Sequence, residues 1–251
     1  MRIDHIVVHI DNDSMRLQAM KNSLTNQGYP FDPANGKGNN EFRSSNINIG
    51  SEYLEIVRLM KPNAQTWMPL WTRNYDNGLR GAYCVFLEVE DVERVGIALN
   101  KAGVRTRGPA ALTYPAMLGL LRAEAPYSIY YLPNFPDSQL HLALMQYKPR
   151  GRETTLAGLT PNASEHGING IRRAEIELPN LEESMDMLLK IFPDLRMEGD
   201  AWVVQLEKQR LGFRQAADHQ TRLKLTTVTS QRNAVGRAFR IDNVEVNTIG
   251  G

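Results

Sequence analysis

Two histidines open the chain on a pattern that could carry chemistry. The stretch Ile3-Asp4-His5-Ile6-Val7-Val8-His9-Ile10 alternates at period two. Ile6, Val8 and Ile10 then share one face of a strand, and His5, Val7 and His9 share the other. Two imidazoles on one sheet face can exchange protons near neutral pH if that face lines a cleft. A second strand, Tyr53 to Leu59, puts Tyr53, Glu55 and Val57 on one side and Leu54, Ile56 and Arg58 on the other. Further along, Trp67, Trp71 and Tyr75 recur at four-residue spacing just before Arg80, so one helical face would hold all three rings. Rings beside a guanidinium suit a small acid with an apolar body, the rings burying the body and Arg80 pairing the charge. For the same rings, a packing face between modules is the favoured reading over a substrate wall. Lys37, between Gly36 and Gly38, could help cradle an anion, although with no helix following, a hairpin turn is the favoured reading.

The elements that must position these residues follow one grammar used three times. The first strand leads through Asn12 as cap to a helix carrying Met15, Leu17, Met20 and Leu24. Arg80 to Asp91 precedes a helix carrying Val92, Val95, Leu99 and Ala102. Ile171 to Leu178 precedes one carrying Leu181, Met185, Leu188 and Phe192, with Asn180 and Glu183 spaced as a capping box. Strands are expected at Phe42 to Ile49, Tyr127 to Leu132 and Leu140 to Tyr147, and a short helix over Ala116 to Leu121. Four short strands are expected in the last third, at Ala201 to Leu206, Leu211 to Phe213, Leu223 to Val228 and Ala238 to Val246. Pro149 to Asn169 lacks periodicity and reads as a linker.

Composition bounds the rest. The chain has 251 residues, 42% hydrophobic and 23% charged, with a formal net charge of +1. That balance gives no reason to expect nucleic acid or a membrane as partner. Cys84 is the single cysteine, so no intrachain disulfide can form, and a cytoplasmic location is the expectation. The first residues lack a signal-peptide pattern, and no apolar run approaches the length of a membrane span.

Superposing Ile10-Asp11-Asn12 on Val89-Glu90-Asp91 and on Leu178-Pro179-Asn180 aligns three copies of a strand, a helix and a small antiparallel set. With Ile3-Asp4-His5-Ile6-Val7-Val8 opening the first copy and Glu52-Tyr53-Leu54-Glu55-Ile56-Val57 closing it, the chain resembles the vicinal oxygen chelate superfamily. More narrowly it is similar to the glyoxalase-like proteins of bacteria, through Gly28-Tyr29-Pro30-Phe31, Gly36-Lys37-Gly38 and Gly167-Ile168-Asn169-Gly170-Ile171. The superfamily resemblance covers roughly residues 1 to 148. It implies an α+β fold: paired βαβββ modules at 1–62 and 80–148, with an extra, partial C-terminal α/β module at 165–251 whose apolar helix face packs on the pair.

The resemblance also implies a divalent metal ion (Zn, Ni, Mn or Fe) held by the first and last strands of each module. Carried over, the ligands are His5 and Glu55 from module one and His141 from module two, the last needing a one-residue shift. Cys84 stands at or next to the fourth position, and Arg173, which cannot bind a cation, stands where a third copy would need His5. Two imidazoles and a carboxylate with open positions suit a metal that also chelates substrate. Glu55 could instead serve as base, with His9 as the alternative base. The implied function is a metal-dependent enzyme of lyase, isomerase or dioxygenase type acting on a small oxygenated molecule. The alternatives are a non-catalytic protein that binds or sequesters such a molecule, and a scaffold that has kept the fold without the chemistry. A small-molecule ligand is the expected partner, with a homodimer as the assembly to test. Against these stand plainer readings: a solvated strand face for His5 and Glu55, inert packing for Cys84, and exposed positions for His166 and His219.

Overall fold

The structure, a computed structural model, describes residues 1–110, 113–116 and 121–251. Strand β1 (Arg2–His9) is followed by helix α1 (Ser14–Asn26). The cap of α1 is Asp13, not Asn12: its carboxylate accepts from the amides of Met15 and Arg16 at 2.8 and 3.0 Å. A 3-10 turn (Pro33–Asn35) leads to β2 (Lys37–Gly38), β3 (Phe42–Ile49) and β4 (Glu52–Leu59). Helix α2 (Pro69–Asp76) then bridges to β5 (Gly81–Glu88). Helix α3 (Val92–Lys101) starts at Asp91, whose side chain accepts from the Arg94 amide. Strands β6 (Arg107–Ala110), β7 (Thr113–Ala116), β8 (Leu121–Glu124), β9 (Tyr127–Asn134) and β10 (His141–Tyr147) follow. The helix expected over Ala116 to Leu121 lies, apart from its end residues, outside the described residues.

These strands form an eight-stranded sheet in the order β2-β3-β4-β1-β5-β10-β9-β6, with β7 and β8 paired separately. β1 runs parallel to β4, β5 runs parallel to β10, and β1 meets β5 antiparallel. Two strand–helix–strand units thus join edge to edge at a β1/β5 seam, as the α+β reading expected. The face holding Ile6, Val8 and Ile10 packs under α1 and α3 through Leu17, Leu24, Val92 and Leu99. His5, Val7 and His9 are left for the opposite face.

The segment read as a linker is ordered: helix α4 (Gly151–Ala157) precedes a 3-10 turn (Ala163–His166) with its own capping box between Asn162 and Glu165. The Asn162 side chain also bonds the amide and carbonyl of Gly50 at 2.9 and 2.8 Å, which docks the connection onto the first unit. Beyond it come β11 (Ile168–Leu178), α5 (Leu181–Ile191), β12 (Arg196–Glu198), β13 (Ala201–Gln205), β14 (Arg210–Gln215) and β15 (Arg222–Thr229). The Asn180 side chain caps α5 by accepting from the Glu183 amide. The strand expected over Ala238 to Val246 is two, β16 (Ala238–Ile241) and β17 (Val244–Gly250), because Asp242 turns the chain at φ 50°.

This second, seven-stranded sheet repeats the first: β11 is parallel to β14 and antiparallel to β15, and β15 is parallel to β17. The C-terminal third is therefore a complete unit joined to a reduced one, in which a 3-10 turn (Arg232–Ala234) replaces the helix. One apolar core runs through both sheets, from Ile3 and Ile6 to Leu188 and Phe213. Polar bonds pin the sheets together. Tyr29 Oη meets Thr227 Oγ1 at 2.6 Å and Thr248 Oγ1 at 2.7 Å, and the Ile171 amide donates to Glu52 Oε2 at 3.0 Å.

Candidate active site

Strict alternation would send Asp4 and His5 to opposite faces of β1. The pairing with β5 prevents this: Ile3 pairs Leu87 and His5 pairs Phe86, so Asp4 is the extra residue of a β-bulge. The bulge lets both side chains meet. His5 Nδ1 lies 2.7 Å from Asp4 Oδ2, and Tyr147 Oη donates to Asp4 Oδ1 at 3.0 Å. Asp4 and His5 are both buried. The His5 ring is clamped between Tyr53, at 4.6 Å and 3°, and Phe86, at 4.1 Å and 13°. A carboxylate that accepts from Nδ1–H leaves the Nε2 lone pair free, which makes the ring an oriented base. Burial, with the Asp4 charge adding to it, raises the Tyr147 phenol, so it stays a neutral donor. Sequence reasoning missed Asp4 and Tyr147, because nothing in local periodicity announces a one-residue bulge.

Next to this group, a row of paired residues crosses the sheet as Glu55, Val7, Cys84 and His141. Glu55 is half-buried, and its carboxylate makes no hydrogen bond or ion pair among the described residues. Burial raises the Cys84 thiol and the Tyr131 phenol, and the Glu55 charge adds to both. Between Glu55 and His141, Val7, Cys84 and Ala143 give this face of the sheet a floor of small side chains.

The three residues proposed as metal ligands do not converge. His5 pairs with Tyr53 one row away from Glu55, its Nδ1 is committed to Asp4, and Val7 and Cys84 separate Glu55 from His141. Among the described residues, no three His, Cys, Asp or Glu side chains come together in a group that could hold a metal ion. The donor set does not fit the ion that the resemblance implied. His141 instead packs against Trp71 at 5.6 Å and Tyr131 at 6.1 Å, and burial, followed by the Arg107 charge, lowers its pKa to about 4.

His9 lies at the other end of β1, fully buried. Its Nε2 accepts from Trp67 Nε1 at 3.2 Å, and its ring stacks on Tyr83 at 4.0 Å. Burial, with the Arg80 charge second, lowers its pKa to about 3. Trp71 and Tyr75 on α2, and Trp67 just before it, meet on His9, each about 6 Å from its ring. With these rings over it, His9 has no path to a substrate and cannot serve as the alternative base in this arrangement. Arg80 is spent elsewhere: Nε bonds Asp11 Oδ1 at 2.6 Å, Nη1 donates to the carbonyls of Tyr75 and Leu79 at 2.7 Å, and the guanidinium lies 3.5 Å from the Tyr75 ring centre. Lys37 is exposed on β2 at the sheet edge, paired with Ser44 and away from this face.

Over its whole length the chain is similar to a hypothetical protein from Staphylococcus aureus. The TM-score is 0.73 and the identity 13%, covering 100% of this chain and 99% of that one. This likeness speaks for the fold alone. A methylmalonyl-CoA epimerase from Mycobacterium tuberculosis matches at TM-score 0.42 and 12% identity, over 59% of this chain and 89% of that one. A hypothetical protein from Bacillus halodurans matches at 0.41 and 13%, over 59% and 94%. No family model and no curated protein matches the sequence. No described helix is long and apolar enough to cross a membrane.

Proposed function

We propose that the face of the first sheet holding His5 and Glu55 is the active site of an enzyme of isomerase or lyase type, which moves a proton on a small oxygenated molecule. The observation that carries this is the unpaired, half-buried Glu55 carboxylate on the same face as the Asp4-oriented His5 ring. One group removes a proton from a carbon next to a carbonyl, the electron pair moving onto the carbonyl oxygen, and the other returns a proton. When His5 Nε2 takes the proton, the imidazolium forms beside Asp4, which stabilises it. Tyr53, Phe86 and Tyr131 supply an apolar wall for the body of the substrate.

A second reading, a protein that binds such a molecule without turning it over, is favoured by the same aromatic wall and by the failure of the metal donors to converge. Exchange of α-protons for deuterium in a panel of small carbonyl compounds, followed by NMR, separates the two. Wild-type protein is expected to catalyse exchange in at least one compound, and Glu55→Gln to slow it by about 10²-fold or more. Binding of panel members with no exchange would decide for the second reading.

A further inference from the structure

On the far side of the first sheet from His5 and Glu55, one buried cation has no counter-charge. Alternation along β4 puts Arg58 on the side of Leu54 and Ile56, and Arg58 is only 9% exposed. A guanidinium buried that far is normally paired with a carboxylate. Its Nη2 donates to the Pro33 carbonyl at 3.0 Å, while Nε and Nη1 make no hydrogen bond among the described residues. Neither of those two nitrogens is sealed from solvent. Directly across the ladder from Arg58, β3 places Arg43, a second cation at an exposed position. Like charges at directly opposed positions repel. Burial, with the Arg43 charge second, holds the Arg58 pKa below the ordinary arginine value.

The neighbouring carboxylates are committed elsewhere. Asp32 takes Lys21 Nζ and the Ala34 amide, both at 3.1 Å. Glu41 takes Lys61 Nζ and the amides of Gln65 and Thr66, all at 2.7 Å. The two arginines instead reach carbonyls at either end of the 3-10 turn Pro33–Asn35: Arg58 at Pro33, and Arg43 at Gly36, with Nη1 3.4 Å away. That turn is fitted closely to the strands. A Cβ on Gly36 would lie 2.6 Å from Ser45 Oγ and 3.4 Å from the Pro33 carbonyl oxygen, so the two anchors are held near each other. A carbonyl accepts a hydrogen bond but does not neutralise a charge.

We propose that Arg58 and Arg43 form an oxyanion site for a phosphoryl group carrying two negative charges. Guanidinium forks offer parallel N–H donors that match phosphate oxygens. A dianion balances both cations, where a single carboxylate would balance one. The site lies on the side of β4 opposite Glu55, so it does not rest on the proton-transfer reading.

The test uses the full chain at about pH 8, where a phosphoryl group is doubly charged, with inorganic phosphate, methyl phosphate and acetate as probes at matched ionic strength. Calorimetry is expected to show inorganic phosphate binding at least about tenfold more tightly than acetate, and Arg43→Gln and Arg58→Gln each weakening it by about tenfold or more. In ¹H–¹⁵N spectra of the wild type, phosphate should shift the amides of residues 33–38. If Arg58→Gln does not fold, Arg43→Gln, at an exposed position, decides. Methyl phosphate binding as well as inorganic phosphate assigns the site to a phosphoryl group on a larger molecule, and binding of inorganic phosphate alone assigns it to the free ion; both support the site. No binding of phosphate, acetate binding equally well, affinity unchanged in Arg43→Gln, or amide shifts that spare residues 33–38 would overturn the proposal.

Discussion

The two sheets share one plan and differ in what they place on the corresponding face. Even the bulge recurs: Ile171 pairs Thr227 and Arg173 pairs Thr226, so Arg172 is the extra residue, as Asp4 is in β1. By register, Arg173 stands for His5, Gly212 for Glu55, Lys224 for Cys84 and Glu245 for His141. The first face is aromatic, with a free carboxylate and an oriented imidazole. On the second, charges neutralise one another: Glu175 pairs with Arg173 and Arg214, and Glu177 with Arg222 and Lys224. A carboxylate already paired at close range is a poor proton carrier. The bulge is a backbone device that survives without the chemistry, so architecture alone does not assign function.

The sharpest way to break this comparison is to neutralise a carboxylate on each face. Glu55→Gln and His5→Gln should each lower proton exchange about 10²–10⁴-fold, while Glu175→Gln in the second sheet should leave the rate unchanged. Equal losses from both sheets, read by the same NMR assay, would show that the first face is not special.

Packing should differ in the same sense. Trp71→Ala removes a buried ring from the first sheet and is expected to cost about 3–5 kcal/mol in denaturant unfolding. Arg173→Ala breaks a half-exposed ion pair on the second and should cost under about 1 kcal/mol. Comparable costs would mean that Trp71 is not packed as described.

Acid should weaken the first sheet selectively. His9 and His141 are held neutral, with folded pKa values lowered to about 3 and about 4. The unfolded chain protonates them near their ordinary value of about 6.5, so stability is full above that pH and falls as pH drops toward the folded values. At pH 5 each should cost about 2 kcal/mol. Replacing both by phenylalanine should flatten the pH 7-to-5 slope in urea titrations.

The smallest effect expected is that of Tyr147→Phe, which removes one donor to Asp4 and leaves the His5 contact. It should lower kcat by about tenfold, near 1.4 kcal/mol, with little change in KM. An equal change in KM would assign Tyr147 to substrate contact instead of positioning.

Much of this was legible in the chain. Period-two alternation placed His5 and His9 on the inner face, because side-chain direction in a strand is local geometry. Four-residue spacing grouped Trp67, Trp71 and Tyr75, although Trp67 precedes the helix. What alternation could not show is the bulge that brings Asp4 to His5, since an extra residue is defined only by the partner strand. Nor did spacing reveal that Arg80 is consumed by Asp11, or that residues after Thr229 form a helix-less unit. Those depend on contacts between segments far apart in sequence. The ordered connection at 150–167 was hidden for the same reason, its cap being completed by Gly50.

The most direct measurement is the protonation state of the His5 ring, read by long-range ¹⁵N–¹H correlation on the full-length protein near neutral pH. The account predicts a proton on Nδ1, held by Asp4, and a bare Nε2, with that pattern lost in Asp4→Asn. A His5 ring protonated on Nε2 alone, or a pattern unchanged by Asp4→Asn, would contradict it.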